Sequence, residues 1–159
     1  MRTGPGPAPA AGRVLAILGP TASGKSSLAI DVAEARSAAG DPTEIVAIDA
    51  FTVYRGMDVG TAKPDAAARA RVAHHLIDVL DPAEALTVVR FRDLARAAIA
   101  DVHARGATPL LVGGSGLYWR AVVDDLAFPP TDPGLRRAIE VRYDGDRDAA
   151  HSDLSLIHI

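Results

Sequence analysis

The chemistry this chain advertises is concentrated in one octapeptide. Gly19, Pro20, Thr21, Ala22, Ser23, Gly24, Lys25 and Ser26 match G-x-x-x-x-G-K-[S/T] at all four fixed positions, the spacing of a loop that wraps a phosphate. The glycines let backbone N–H groups close around an anion, and the N-terminus of a following helix adds partial positive charge. Lys25 is placed to reach terminal phosphate oxygens, and the Ser26 hydroxyl to hold Mg2+. The alternative is a glycine-rich turn with no ligand. The flanking sequence favours the phosphate loop: residues 14–18 (Val-Leu-Ala-Ile-Leu) read as a short buried strand, and residues 25–39 carry Leu28, Val32 and Ala35 at helical spacing before Gly40 and Pro42.

A second candidate is Asp49, which directly follows the apolar, β-branched run of residues 44–48. In open parallel α/β sheets, ligands sit at the carboxyl ends of strands, so a carboxylate there can face phosphates held after the first strand. Position alone fits a catalytic base and a turn cap equally well. Residues 50–64, with Tyr54, Arg55, two glycines, Lys63 and Pro64, compose a long loop, and such loops are functional or disordered. Lys25 and Lys63 are the only lysines in the chain.

The elements that must position these groups follow in order. A short Ala/Arg-rich helix is expected over residues 64–72, then His74-His75-Leu76-Ile77-Asp78 and Asp81-Pro82. The adjacent histidines have no third ligand at a zinc spacing, so packing, turn or ligand contacts are expected there instead of a structural metal. Thr87 is a plausible N-cap for a helix with Phe91, Leu94, Ala95, Ala98, Ile99 and Val102 on one face, stopped by Gly106. Residues 109–112 form a third apolar strand running into Gly113-Gly114-Ser115-Gly116, a second glycine-rich strand-to-helix turn in which Ser115 serves equally as a ligand contact or an N-cap. Asp132-Pro133 opens a helix through about residue 142.

Composition bounds the class. At 159 residues, 48% apolar and 23% charged, one globular domain is expected. A net charge of −3 gives no electrostatic footprint for nucleic acid, although fifteen arginines could cluster in space. There is no cysteine, hence no disulfide framework or thiolate metal site. No apolar run is long enough to span a bilayer, and the Pro/Gly/Ala-rich first twelve residues lack the pattern of a signal segment, so a cytoplasmic protein is expected. The expected organisation is a disordered arm over 1–12, an α/β P-loop core with a parallel sheet over 13–143, and an irregular tail over 144–159.

Taken together, the octapeptide 19–26, Asp49, residues 54–64 (Tyr-Arg-Gly-Met-Asp-Val-Gly-Thr-Ala-Lys-Pro), His74 to Asp78, Asp81-Pro82 and residues 113–118 (Gly-Gly-Ser-Gly-Leu-Tyr) resemble the tRNA dimethylallyltransferase family. The resemblance runs over about residues 14–142. It implies transfer of a dimethylallyl group from its diphosphate to the exocyclic amine of the adenosine 3′ of the anticodon in tRNA. It further implies a P-loop NTPase-like three-layer fold, the diphosphate and Mg2+ at the loop, and catalysis by Asp49 as general base with Lys25 and Ser26. Asp49, Ala50, Phe51, Thr52, Ser115 and Arg136 would be the tRNA contacts, and the full-length protein would be a monomer. The chain departs from the family pattern at Ala50, Thr52 and Ser115, where the family usually has Ser, Gln and Thr, which implies an altered grip on the adenine. Family members run to about twice this length, so the chain is expected to be a truncated, weakly active form whose last residues are not family sequence and whose sheet keeps an exposed edge. Two other readings compete: a small-molecule P-loop kinase with ATP in the loop and Arg136-Arg137 in a lid, and a diphosphate- or nucleotide-binding fragment without turnover.

Overall fold

The computed structural model describes residues 12–124, 126, 128 and 132–155. The chain divides into two compact units, Met1–Leu126 and Ala127–Ile159. In the first, four parallel strands, β1 (Leu15–Leu18), β2 (Thr43–Ile48), β3 (His74–His75) and β4 (Thr108–Gly113), form one sheet in the order β1-β4-β2-β3. The helices are α1 (Lys25–Ala38), α2 (Ala66–Arg71), α3 (Val88–Ala104) and α4 (Gly116–Val123). The fold is the expected three-layer α/β type.

Strand alternation sorts the core into two clusters, one on each face of the sheet. Ile45, Leu110 and Val112 pack with Ala29, Ile30 and Ala33 of α1 and with Val72. Val46, Ile48 and Leu111 pack with Phe91, Ala95 and Val102 of α3 and Val122 of α4. Each large, fully buried side chain of this set contributes roughly 1.5–3 kcal/mol. The predicted apolar face of α3 is the observed one, and the Thr87 hydroxyl accepts from Arg90 N at its start.

Two details differ from the sequence reading. The helix α1 buries Ala29, Ile30 and Ala33, whereas Leu28 is 53% exposed. The turn at Gly24 (φ +80°) fixes the phase at which α1 leaves the loop, and small alanines let the helix lie close to the sheet. The sheet also has a fourth strand, His74–His75, paired with Ile45 and Val46; two residues are too few for any periodicity to reveal. The outer edge of β1 is unpaired among the described residues, with Val14 and Leu18 exposed, so the expected open edge is present.

The second unit holds α5 (Pro133–Arg142) and α6 (Arg147–Ser155). Asp132 caps α5 by accepting from Gly134 N and Leu135 N. Where the sequence reading expects an irregular tail, Asp146 accepts from Ala149 N and starts a helix, and Asp153 binds Arg142 and Tyr143 on α5. Helix α6 is polar, so neither apolar period nor hydropathy announces it. The expected arm lies outside the described residues apart from Gly12, as do residues 156–159.

Candidate functional site

A cleft of about 410 Å³ opens at the carboxyl edge of the sheet, beside the first turn of α1. Its upper wall is the loop from Thr21 to Ser26; Asp49, Phe51 and Thr52 form the side after β2, and Gly60, Thr61, Ala62, Pro64, His74 and Ile77 form the far wall. Gly113 lies between the two sides, because β4 runs between β1 and β2.

The glycines at the end of β4 let the backbone of this strand lie close against the end of β2 and the start of the phosphate loop. A Cβ on Gly113 would stand 2.3 Å from Ile48 O, and one on Gly114 would stand 2.7 Å from Gly19 O and 3.8 Å from Lys25 Nζ. Any side chain there would push the phosphate loop and the end of β2 apart. The loop itself takes left-handed conformations at Ala22 (φ 62°) and Gly24 (φ 80°). Lys25 Nζ donates to Pro20 O at 3.1 Å, which folds the ammonium over the loop. Ser26 is exposed in the first turn of α1 and lines the cleft.

Asp49 caps the turn that follows it, its Oδ1 accepting from Phe51 N at 2.7 Å and Thr52 N at 3.1 Å. The cap engages only Oδ1 and fixes the carboxylate at the cleft. Ser115 occupies the N-cap position of α4 but makes no side-chain capping bond. Of the residues singled out from sequence, the structure brings Thr21 to Ser26, Asp49, Phe51 and Thr52 together around the cleft; Gly19, Pro20, Ala50 and Ser115 are outside its lining. Arg136 belongs to the second unit, exposed on α5 and paired with Glu140 at 2.9 Å.

Three features of the cleft could not be read in advance. Phe51, 59% exposed at its edge, presents an aromatic ring to solvent. Thr52 Oγ1 is buried with no hydrogen-bond partner among the described residues, which costs about 1–3 kcal/mol unless another polar group completes it. The two histidines diverge: His75 Nε2 lies 2.6 Å from Glu44 Oε2, whereas His74 lines the cleft with Nδ1 2.8 Å from Val72 O. Burial holds the His74 pKa down, so at neutral pH its Nδ1–H donates to the carbonyl and Nε2 is an acceptor. Tyr118 packs edge-on against Phe91; burial first, then Tyr54 and Asp49, push its pKa up, keeping the phenol protonated.

Comparison with known proteins bears on this arrangement. The family model for IPP transferase matches residues 52–158. A tRNA dimethylallyltransferase of Bifidobacterium longum subsp. infantis is 55% identical over 130 residues, covering 82% of this chain and 40% of the relative. One from Methylococcus capsulatus is 53% identical over 146 residues, covering 91% of this chain and 45% of the relative. Among solved structures, the full-length tRNA isopentenylpyrophosphate transferase of Bacillus halodurans superimposes with a TM-score of 0.66 at 40% identity, over 91% of this chain and 47% of that one. A eukaryotic dimethylallyltransferase acting on tRNA gives a TM-score of 0.65 at 26% identity, over 80% of this chain and 32% of that one. The chain therefore spans between about a third and just under half of the length of these relatives, and the family match extends through α6.

Proposed function

The chain belongs to the IPP transferase family, and on that premise we propose that it carries the donor site and the general base of a tRNA dimethylallyltransferase. The supporting observation is that one cleft at the carboxyl edge of the sheet unites the glycine-rich loop 21–26 with the carboxylate of Asp49, held by its own turn. In the reaction, the exocyclic nitrogen of adenine attacks the allylic carbon, the carbon–oxygen bond to diphosphate breaks, and the nitrogen loses a proton. The amine is a weak nucleophile because its lone pair is delocalised into the ring. A carboxylate that takes the proton as the new bond forms lowers that barrier, and Asp49 is held at the cleft for this role. Charge developing on the leaving diphosphate is met by the amides of residues 21–26 and by Lys25.

The residues present fit Mg2+. Ser26 offers an exposed hydroxyl on the cleft, and this ion takes few protein ligands, filling its octahedron with phosphate oxygens and water. It would add Lewis-acid stabilisation of the diphosphate. On the acceptor side, a base in an anticodon loop must leave its stack to react, and the exposed Phe51 ring offers a stacking face. The orphaned Thr52 hydroxyl offers a hydrogen bond beside it. Ser115 is a further proposed contact to tRNA, and Arg136, in the second unit, is proposed separately as one. The partners are thus tRNA and dimethylallyl diphosphate, and the place of action is the cytoplasm; among the described residues no helix is long and apolar enough to cross a membrane.

The test is transfer of labelled dimethylallyl to unmodified tRNA, run beside an ATP phosphotransfer assay, on this chain and on a version extended to the length of its relatives. Asp49→Asn should leave diphosphate affinity within about twofold while cutting transfer by roughly 100-fold or more, the scale of a lost general base. ATP turnover without transfer would replace the proposal with a kinase.

A further inference from the structure

The far wall of the cleft is built from conformations that a polypeptide does not adopt unaided. Ala62, Leu76 and Asp78 all have positive φ, at 51°, 63° and 57°, each costing about 1–2 kcal/mol for a residue with a Cβ. These strained residues are neighbours of Thr61, Pro64 and Ile77, which face the cleft. One side chain joins both segments. Lys63 Nζ donates to Tyr54 O, Asp58 Oδ1 and Asp78 Oδ1, each at 2.7 Å, and its side chain is only 3% exposed. An ammonium has three N–H donors, so all are used and none is left for a ligand. Asp78 is held from the other side by Arg69 at 2.7 Å, and its backbone N–H donates to Thr52 O. The same network therefore reaches the acceptor side of the cleft.

We propose that Lys63 is the positioning residue of this cleft, fixing the wall of residues 60–64 and Ile77 so that it selects the organic group carried by an anion in the phosphate loop. The proposal rests on the donor reading above. The wall is largely apolar, formed by Ala62, Pro64 and Ile77 facing Ala47 and Ala29, and so suits a short hydrocarbon attached to a diphosphate. Lys63 touches neither part of such a ligand. Its effect passes through the backbone it holds.

The experiment separates the two parts of the ligand. Calorimetric titration of the 159-residue chain with inorganic diphosphate and with an unreactive dimethylallyl thiodiphosphate, both with Mg2+, gives two affinities. The wild type should bind the ester more tightly. Lys63→Met should weaken the ester by about tenfold while inorganic diphosphate stays within about twofold, because preorganised contacts to the organic group are lost and those to phosphate are not. Amide exchange should accelerate by about tenfold or more over 57–64 and 76–80 but not over 19–26. The double variant Lys63→Met/Asp78→Asn should match the single one, showing that lost position and not an unpaired carboxylate is responsible. Equal loss for both ligands, or no change in either, overturns the proposal. Equal affinity of the wild type for ester and diphosphate overturns the donor reading, whereas unchanged exchange in Lys63→Met overturns the clamp whichever ligand binds.

Discussion

The two lysines of the chain mark two ways of building one site. Lys25 stands in a loop of eight consecutive residues and, among the described residues, its Nζ donates to a carbonyl five positions away, which on the proposed function leaves the ammonium for an incoming phosphate. Lys63 is buried, and its three acceptors come from positions nine, five and fifteen residues distant on either side of it. Burial alone would push its pKa down, but the hydrogen bonds it donates to Asp58 and Asp78 outweigh this and hold it up, so the charge persists inside the protein. The first region gives its ammonium one neutral acceptor and, among the described residues, no carboxylate partner; the second spends its charge on shape. On the proposed function, the difference teaches that one residue type serves chemistry where its ammonium is left open and architecture where the chain supplies all of its acceptors.

Three perturbations sharpen or break this contrast. The largest effect is expected from Lys25→Ala, which should lower diphosphate affinity by roughly 100-fold, about 3 kcal/mol for a lost charge-assisted contact, while leaving the melting temperature nearly unchanged. A large fall in stability instead would mean that Lys25, too, is architectural.

Next comes acid. The Lys63 hydrogen bond first, and then that of Arg69, hold the Asp78 carboxyl below its usual value of 3.8. A carboxyl lowered on folding adds stability above its unfolded pKa and loses it as pH falls through the folded value. Thermal melts between pH 5 and pH 2 should therefore show acid destabilisation that Lys63→Met makes shallower. An unchanged slope in the variant would show that other carboxylates dominate, and Glu44, lowered chiefly by Arg105, is the first to examine.

The smallest effect is expected from Ala62→Gly, which removes a Cβ from a left-handed residue and should stabilise the fold by roughly 0.5–1 kcal/mol in denaturant unfolding. Destabilisation would mean that the Ala62 methyl packs in the wall more than its backbone strains it.

Much of this protein can be read without coordinates. The strands β1, β2 and β4, the strand-to-helix turn between β1 and α1, the apolar face of α3 and the caps at Thr87 and Asp132 all appear where local pattern places them. Asp49 was legible as a candidate but not in its geometry, since a turn cap and a catalytic carboxylate occupy the same position in sequence. Its Oδ1 in fact caps the turn, and the same contact orients the carboxylate at the cleft. Ser115 inverts this, taking an N-cap position without the capping bond. The α1 face was misread because the loop sets the phase of the helix, and α6 because a polar helix carries no hydrophobic period.

What the sequence alone determined is everything encoded within about one turn or one strand: a backbone that must bend where glycine stands, a lysine and a serine set in the first turn of a helix, an apolar run that must be buried. What only the tertiary structure decided is which distant groups meet. No pattern in residues 54–78 predicts that Lys63 would face Asp58, Asp78 and a carbonyl at once, because those contacts depend on two strained turns held together by the fold. Nor could the glycines at the end of β4 be known to pack against the backbones of Ile48 and Gly19 until β4 was seen to run between β1 and β2. Local conformational preference is a property of neighbouring residues, whereas strand order and buried ion pairs arise when long-range burial outweighs the strain and desolvation of the parts.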